Sequence, residues 1–339
     1  MFIMSEFMKF NPNKESLQDR GAEAHTPELL ESYNNSTYAW QPGMDKYLRV
    51  SKSSLNAHGW CGYSYKMQYL YRLSQEETDD MVRGTNVHNI VEYFWDEAPS
   101  RIDETLTLIA DDKLILAKEL MYSVIPTPPM SYLLGEEEVI RQWFDWQWNR
   151  FLLTKGVNWA AVGNEVSAHA KINVNVDGVD YPVHLRGYID TIFADGEGGF
   201  VLMELKTGKW QPKKTAKKLR EEMQFYKLML DEGEFSDWLP VTHWAWEFPR
   251  GWVNGGVKAE WELEEVGTKI TRYAPKTVQN NLKKLVKAHI TDSFEPEPFN
   301  YTDWQGNVVS SCQWCSFMEL CPAWGNNIDS QTEIKLEDK

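Results

Sequence analysis

The sequence predicts an α/β protein, a helical N-terminal part followed by a strand core with helices returning after it. Three observations carry this. Apolar and aromatic residues recur at helical spacing as far as about residue 158, and near Glu165 the period changes to two. Asp177-Gly178, set between two alternating stretches, is a hairpin signal. At 339 residues and 42% hydrophobic content the chain can bury a proper core, and its 13% aromatic content excludes a disordered one.

In order, residues 1–50 are polar, contain Asn34-Asn35-Ser36 and show no period, so an irregular arm is expected. Ser53 or Ser54 should cap a helix running to Leu73, with Leu55, Cys61, Tyr65 and Tyr69 on its apolar stripe. A second helix should run from about Asp79 to Trp95 and carry His88, and residues 99–158 should form a helical insertion or cap broken at Pro126, Pro128 and Pro129. Strands are expected at 164–176, 180–194 and 199–206, then a helix over about 214–230 and strands at 241–248 and 257–263. A basic helix over 276–290 leads into the cysteine segment. Residues 51–325 are read as one domain and 326–339 as a polar tail. No run approaches the ~18–20 apolar residues of a membrane helix, and the first residues lack a basic leader, so a cytoplasmic protein with no membrane partner is expected.

Net charge is −15, from 35 basic against 50 acidic residues, which by itself argues against a polyanionic partner. The charge is patterned, however. Lys206 to Arg220 holds seven basic residues and no acid, and Lys269 to His289 holds six and no acid. Solvated helix faces would explain both, and only the residues beside them suggest more.

Of four cysteines, Cys312, Cys315 and Cys321 form a C-x2-C-x5-C cluster, and Cys61 stands apart. In a reducing compartment such spacing reads as metal binding, with Cys61 the one thiol left to complete a set of four. Thiolates suit a tetrahedral structural zinc ion or an iron–sulfur cluster equally, and the plain alternative is four unrelated buried thiols. A shared metal would close a loop of about 250 residues, restricting the unfolded chain much as a cross-link does.

The strand core carries the chemistry. Asp190 ends one predicted strand, and Glu204-Leu205-Lys206 ends the next. Residues i and i+2 share a strand face, so Glu204 and Lys206 point together and a hairpin can bring Asp190 beside them. Carboxylates of this kind bind Mg²⁺ or Mn²⁺, and an adjacent lysine can position water or offset charge, which suits phosphodiester hydrolysis. Exposed ion pairs with Arg186 and Lys206 would be the plain reading of the two acids.

Gly187-Tyr188-Ile189-Asp190, Glu204-Leu205-Lys206-Thr207-Gly208 and Glu222-Met223-Gln224-Phe225-Tyr226, with Gly84-Thr85-Asn86-Val87-His88 upstream, resemble the motifs of the PD-(D/E)XK nuclease superfamily. The one-plus-three cysteine layout is similar to its RecB-type group, which includes the CRISPR-associated iron–sulfur exonucleases and the AddB nuclease subunits. The likeness covers roughly Ser51 to Pro322. One departure stands out: the position four residues before Tyr226 is Glu222 where the family has Gln, and Gln224 lies only two before it.

The resemblance implies a restriction-endonuclease-like mixed central sheet flanked by helices. It implies His88, Asp190 and Glu204 as ligands of Mg²⁺ or Mn²⁺, with the Leu205 carbonyl a further donor and Lys206 positioning the attacking water. Cys61, Cys312, Cys315 and Cys321 would hold a structural [4Fe–4S] cluster, with structural Zn²⁺ as the alternative. Glu165 is a candidate auxiliary acid. Glu222, Gln224, Tyr226, Lys209, Lys213, Lys214 and Lys217 are candidates for contact with DNA, and Trp210, Trp244 or Trp246 for base stacking. The expected activity is a DNA exonuclease on single strands or duplex ends, in recombination, repair or processing of phage or plasmid DNA. No G-x4-GK-[ST] motif occurs, so any helicase or recombinase would be a separate partner. The rival readings are a catalytically silent DNA-binding or scaffold protein, and an electron-transfer protein, which would leave Asp190, Glu204 and Lys206 unexplained.

Overall fold

The computed structural model describes residues 47–73, 75, 78–126, 136–208, 212–233, 236–250, 262–297, 300–302 and 308–323. Their elements are β1 (Leu48–Ser51), α1 (Lys52–Trp60), α2 (Gly62–Tyr65), a π turn (Lys66–Leu70), α3 (Asp79–Glu97), α4 (Ile102–Ala110), α5 (Leu114–Tyr122) and α6 (Glu136–Thr154). There follow β2 (Gly163–Val176), β3 (Val179–Ala194), β4 (Phe200–Leu205), α7 (Pro212–Glu232), β5 (Val241–Glu247), β6 (Glu262–Glu265), α8 (Ala274–Thr291), β7 (Asn300–Thr302) and β8 (Val308–Ser310). The arm, the tail and most of the strand expected at 257–263 lie outside the described residues. No described helix is long and apolar enough to cross a membrane.

Two compact units divide the chain. The larger comprises Glu77–Ile172 and Val183–Asn280; the smaller comprises the segment up to Glu76, Asn173–Pro182 and the chain from Asn281 onward.

In the larger unit the sheet is mixed. β3 pairs antiparallel with β4 through Thr191↔Met203, Ile192↔Leu202 and Phe193↔Val201. β4 runs parallel to β5, and β6 adds antiparallel to β5. A parallel step needs a crossover, and α7 supplies it between β4 and β5. Phe193, Val201, Met203, Leu205 and Ala245 share one core with the stripes of α3 (Val87, Ile90, Val91, Phe94, Trp95) and α6 (Val139, Trp143, Phe144, Trp148, Phe151). Phe94 is its hub, edge-on to Trp95, Trp143, Phe144 and Trp159. Trp244 and Trp246 are fully buried, which corrects the base-stacking role considered for them: on β5 they serve the core.

α6 is also tied by polar groups. Glu247, 2% exposed at the end of β5, accepts from Trp143 Nε1 at 2.8 Å and from Gln147, and its carbonyl accepts the backbone N–H of Lys206 at 2.8 Å. The strand end that carries Lys206 is thereby fixed from α6.

The smaller unit departs from expectation at Cys61. The predicted helix breaks there: Ser51, not Ser53 or Ser54, caps α1 in a reciprocal box with Ser54, and α1 ends at Trp60. Cys61 is extended (φ −164°, ψ 122°), and α2 starts after it. The reason is steric. A Cβ on Gly62 would stand 3.1–3.2 Å from the backbone of Phe294 and Glu295, and the Tyr63 N–H bonds Glu295 O at 3.2 Å, so the chain bends to meet that segment. Beyond it Tyr65 stacks on Tyr69 and Phe294 and meets His289 Nε2 at 2.9 Å. At the hairpin tip both Asp177 (φ 52°) and Gly178 (φ 89°) take the left-handed conformation that an Asp-Gly turn supplies.

Phe94→Ala should remove about 3–5 kcal/mol by opening a cavity among four rings. Denaturant unfolding should show a lower midpoint at unchanged slope.

Candidate functional site

The β3–β4 register, carried one step past Thr191↔Met203, sets Asp190 opposite Glu204. Asp190 Oδ2 accepts the Leu205 N–H at 2.9 Å, which locks its carboxylate against the end of β4. α3 brings His88, whose Nδ1 lies 3.6 Å from Asp190 Oδ2. α3 starts at Thr78, whose side chain accepts from Met81 N, and carries Asp79 and Asp80 in its first turn, where the helix dipole favours them. Four residues before His88, Gly84 lets the helix pass close to the segment after β4: a Cβ there would sit 3.4 Å from Thr207 Oγ1.

Glu165 completes a trio. It stands in β2 with φ +44°, a left-handed conformation rare for any residue but glycine in a strand and costing about 1–3 kcal/mol. Ligand atoms of His88, Glu165 and Asp190 all lie within 4.8 Å of one another. A divalent cation with oxygen and imidazole donors at about 2.1 Å needs donors roughly 3–4.2 Å apart; the His88–Asp190 separation of 3.6 Å lies in that range, and a cation would draw any wider pair of the trio together. The electrostatics agree. Burial, then Asp190, Glu92 and Glu204, push the Glu165 carboxyl up to about 8. Burial, then Glu204, also raise Asp190, against the opposing pull of His88, Lys206 and the Leu205 N–H. A cation between these groups would relieve the repulsion.

Glu204 is not in the trio. Its Oε1 is bound by Lys206 Nζ, which also lies 2.8 Å from Glu222 Oε1, and the Tyr226 hydroxyl donates to the Glu204 carboxylate. Burial, then the Glu204 charge, drive the Tyr226 hydroxyl far above its ordinary value. Of the residues considered for contact with DNA, Glu222, Gln224 and Tyr226 are 5%, 8% and 5% exposed, and none is a surface group. Lys217 is exposed, 3.7 Å from Glu221. Lys209 and Trp210 lie outside the described residues, as do the side chains of Lys213 and Lys214.

Two features escaped the sequence reading. Glu92 follows His88 by four residues on α3, the spacing of a shared helix face, and its carboxyl is raised by burial and by Asp96. That spacing was a usable signal. Glu247 had none, because its partners on α6 are 100 or more residues away.

In the smaller unit Cys61, Cys312, Cys315 and Cys321 line one concavity with Trp60 and Met318. All four are free thiols. Cys61 Sγ accepts the Glu297 N–H at 3.4 Å. Burial raises the Cys315 thiol, assisted by Cys61 and Cys312, while the Phe317 N–H and the Ser64 side chain favour its thiolate. Burial, then Cys321, Tyr71 and Cys315, push Tyr63 up to about 12. Among the described residues, all four cysteines included, no three thiols stand within 4.8 Å of one another.

Because folded Glu165 keeps its proton to about 8 while the unfolded chain releases it near 4.5, the folded state binds more protons between those values and loses stability as pH rises. In EDTA the melting temperature should therefore fall from pH 5.5 to 8.5. Glu165→Gln should flatten that fall, and Mn²⁺ should remove it in the wild type.

No curated protein matches the chain. Among solved structures, that of SSO0001 is 12% identical, covering 87% of this chain and 93% of its own, with a TM-score of 0.35. A Eubacterium rectale protein provisionally named an exonuclease is 13% identical, covering 78% and 88%, with a TM-score of 0.41. The sequence family gives the assignment. Its model matches residues 49–322, the span holding every motif residue and all four thiols described above, and on that match the chain belongs to the PD-(D/E)XK nuclease superfamily.

Proposed function

We propose that this chain is a divalent-cation-dependent deoxyribonuclease, an exonuclease acting on single strands or duplex ends in recombination, repair or DNA processing. The observation that carries the reading is the approach of His88, Glu165 and Asp190 to within 4.8 Å beside the Glu204–Lys206 pair. These residues, with Glu204, would hold Mg²⁺ or Mn²⁺. When bound, such a cation withdraws charge from a phosphoryl oxygen and offsets the charge that builds up as the phosphodiester breaks.

The protein groups do the rest. Lys206 has three N–H donors, two of them engaged by Glu204 and Glu222, and its side chain is 26% exposed, so one donor remains to orient water or a phosphate oxygen. The Leu205 N–H holds Asp190 in one rotamer, and Glu247 holds the Lys206 backbone. The run of basic residues in the sequence after Lys206, at 209, 213, 214 and 217, supports contact with a phosphate backbone in an otherwise acidic chain. The likeness to the RecB-type group supports DNA as substrate and exonuclease as mode.

The four thiols are proposed to hold a structural [4Fe–4S] cluster. A mononuclear zinc ion with Zn–S of about 2.3 Å draws its sulfurs to about 3.8 Å of one another. A cubane cluster seats each thiolate on a different iron and spaces them more widely. The likeness to the RecB-type group supports the cluster over zinc, the four thiols line one concavity, and the N–H donors on Cys61 and Cys315 suit thiolates bound to either.

End-labelled single-stranded and blunt duplex DNA should be degraded with Mg²⁺ or Mn²⁺ by anaerobically purified protein. Glu204→Ala and Lys206→Ala should each lose about 10²–10³-fold in rate while keeping the visible absorbance of the cluster. No cation-dependent cleavage by the wild type would favour a silent binding protein. Iron and acid-labile sulfide should be near four each per chain on the cluster reading. Stoichiometric zinc without sulfide would reverse that assignment.

A further inference from the structure

Glu222 is buried and stands where the family motif has a neutral Gln, and the structure gives it no route to a surface ligand. What it touches is Lys206: Oε1 lies 2.8 Å from the ammonium, and the same ammonium is bound to Glu204 Oε1. One turn further along α7, Tyr226 donates to Glu204. Two side chains at i and i+4 on one helix thus grip Glu204 in β4 and Lys206 just past its end.

This arrangement bears on how a cation reaches Glu204. A divalent ion and an ammonium compete for the same carboxylate, and both Glu204 and Glu222 are only 5% exposed, so little solvent screens the contest. If Glu204 were the only counter-charge of Lys206, taking it for the metal would leave a cation in a largely buried place beside a dication. That outcome is expensive, and either the lysine would swing away or the metal would be held weakly.

We propose that Glu222 is a positioning residue that retains Lys206 when the cation takes Glu204, so that metal and ammonium occupy the site together. This rests on the nuclease reading for its consequence in turnover, but its binding part does not need catalysis. The second carboxylate makes the exchange possible without moving Lys206, because one partner is already in place before the other is given up. A neutral Gln could accept one hydrogen bond from Lys206 but would not offset its charge.

The test is Mn²⁺ titration calorimetry on wild type, Glu222→Gln, Glu222→Ala, Lys206→Ala and the double variant Lys206→Ala/Glu222→Ala, each checked for native circular dichroism. Glu222→Ala should weaken Mn²⁺ about tenfold and Glu222→Gln by less. The double variant should recover most of the loss, because with no ammonium there is nothing to compete for Glu204. In cleavage assays at saturating Mn²⁺, Glu222→Ala should lower kcat with little change in KM, and Glu222→Gln should restore part of it. Unchanged Mn²⁺ affinity in Glu222→Ala, or effects of Glu222→Ala and Lys206→Ala that simply add in the double variant, would overturn the proposal, since deleting the lysine removes a repulsive charge in any case and only the coupling between the two substitutions reports the glutamate's hold on it. A wild type that binds Mn²⁺ and shows this cycle but cleaves no nucleic acid would sink the nuclease reading and leave the positioning role standing.

Discussion

Glu165, Asp190 and Glu204 stand close enough that burial and mutual repulsion raise the first two above the ordinary carboxylate range, and Lys206 is the ammonium set among them. Much of the larger unit's local structure follows from keeping these charges together. The Leu205 N–H fastens Asp190, α7 fastens Glu204 and Lys206 through Tyr226 and Glu222, and β2 accepts a left-handed residue so that Glu165 can reach the same space. Crowding of carboxyls that raises their pKa is the arrangement a bound cation would relieve, which is how the proposed cation site and the raised Glu165 and Asp190 belong together.

The support behind the site is apolar and aromatic. α3 and α6 pack on the sheet through Phe94, Trp95, Trp143 and Phe144, and this rigid core sets where His88 emerges. Glu247 is the polar exception. By taking Trp143 and Gln147 on its carboxylate and Lys206 N–H on its carbonyl, it joins α6 to the strand end that bears the lysine. Burying a carboxylate is tolerable only with such partners, and here the same residue fixes the β5 end and the backbone of Lys206.

The smaller unit solves a different problem with the same economy. Tight turns bring three thiols from a ten-residue segment into one concavity, with Cys315 N–H on Cys312 O and Cys321 N–H on Met318 O. Cys61 reaches that concavity because the chain leaves α1 in an extended conformation and glycine follows it. Tyr63, Phe317 and Cys315 pack in one apolar cluster with Met67 and Tyr71.

Much of this was legible in the amino-acid order. The change of period near Glu165, the Asp-Gly turn, the helical stripe through His88 and the spacing of Asp190, Glu204 and Lys206 gave the α/β class, the hairpin and the acid–acid–lysine group, because each is a local pattern. Local pattern also misled. It put Cys61 within a helix, whereas close approach of the Phe294–Glu295 backbone breaks the helix there, and it offered Trp244 and Trp246 as stacking surfaces when the core claims both. What tertiary structure alone decided was partnership: that Glu165 joins His88 and Asp190, that Glu222 serves Lys206, and that Glu247 anchors α6. The sequence determined which groups are present and which neighbours share a face. Distances between groups on different elements depend on packing and strand register, and a backbone twist such as that of Glu165 appears only when the strands are in place.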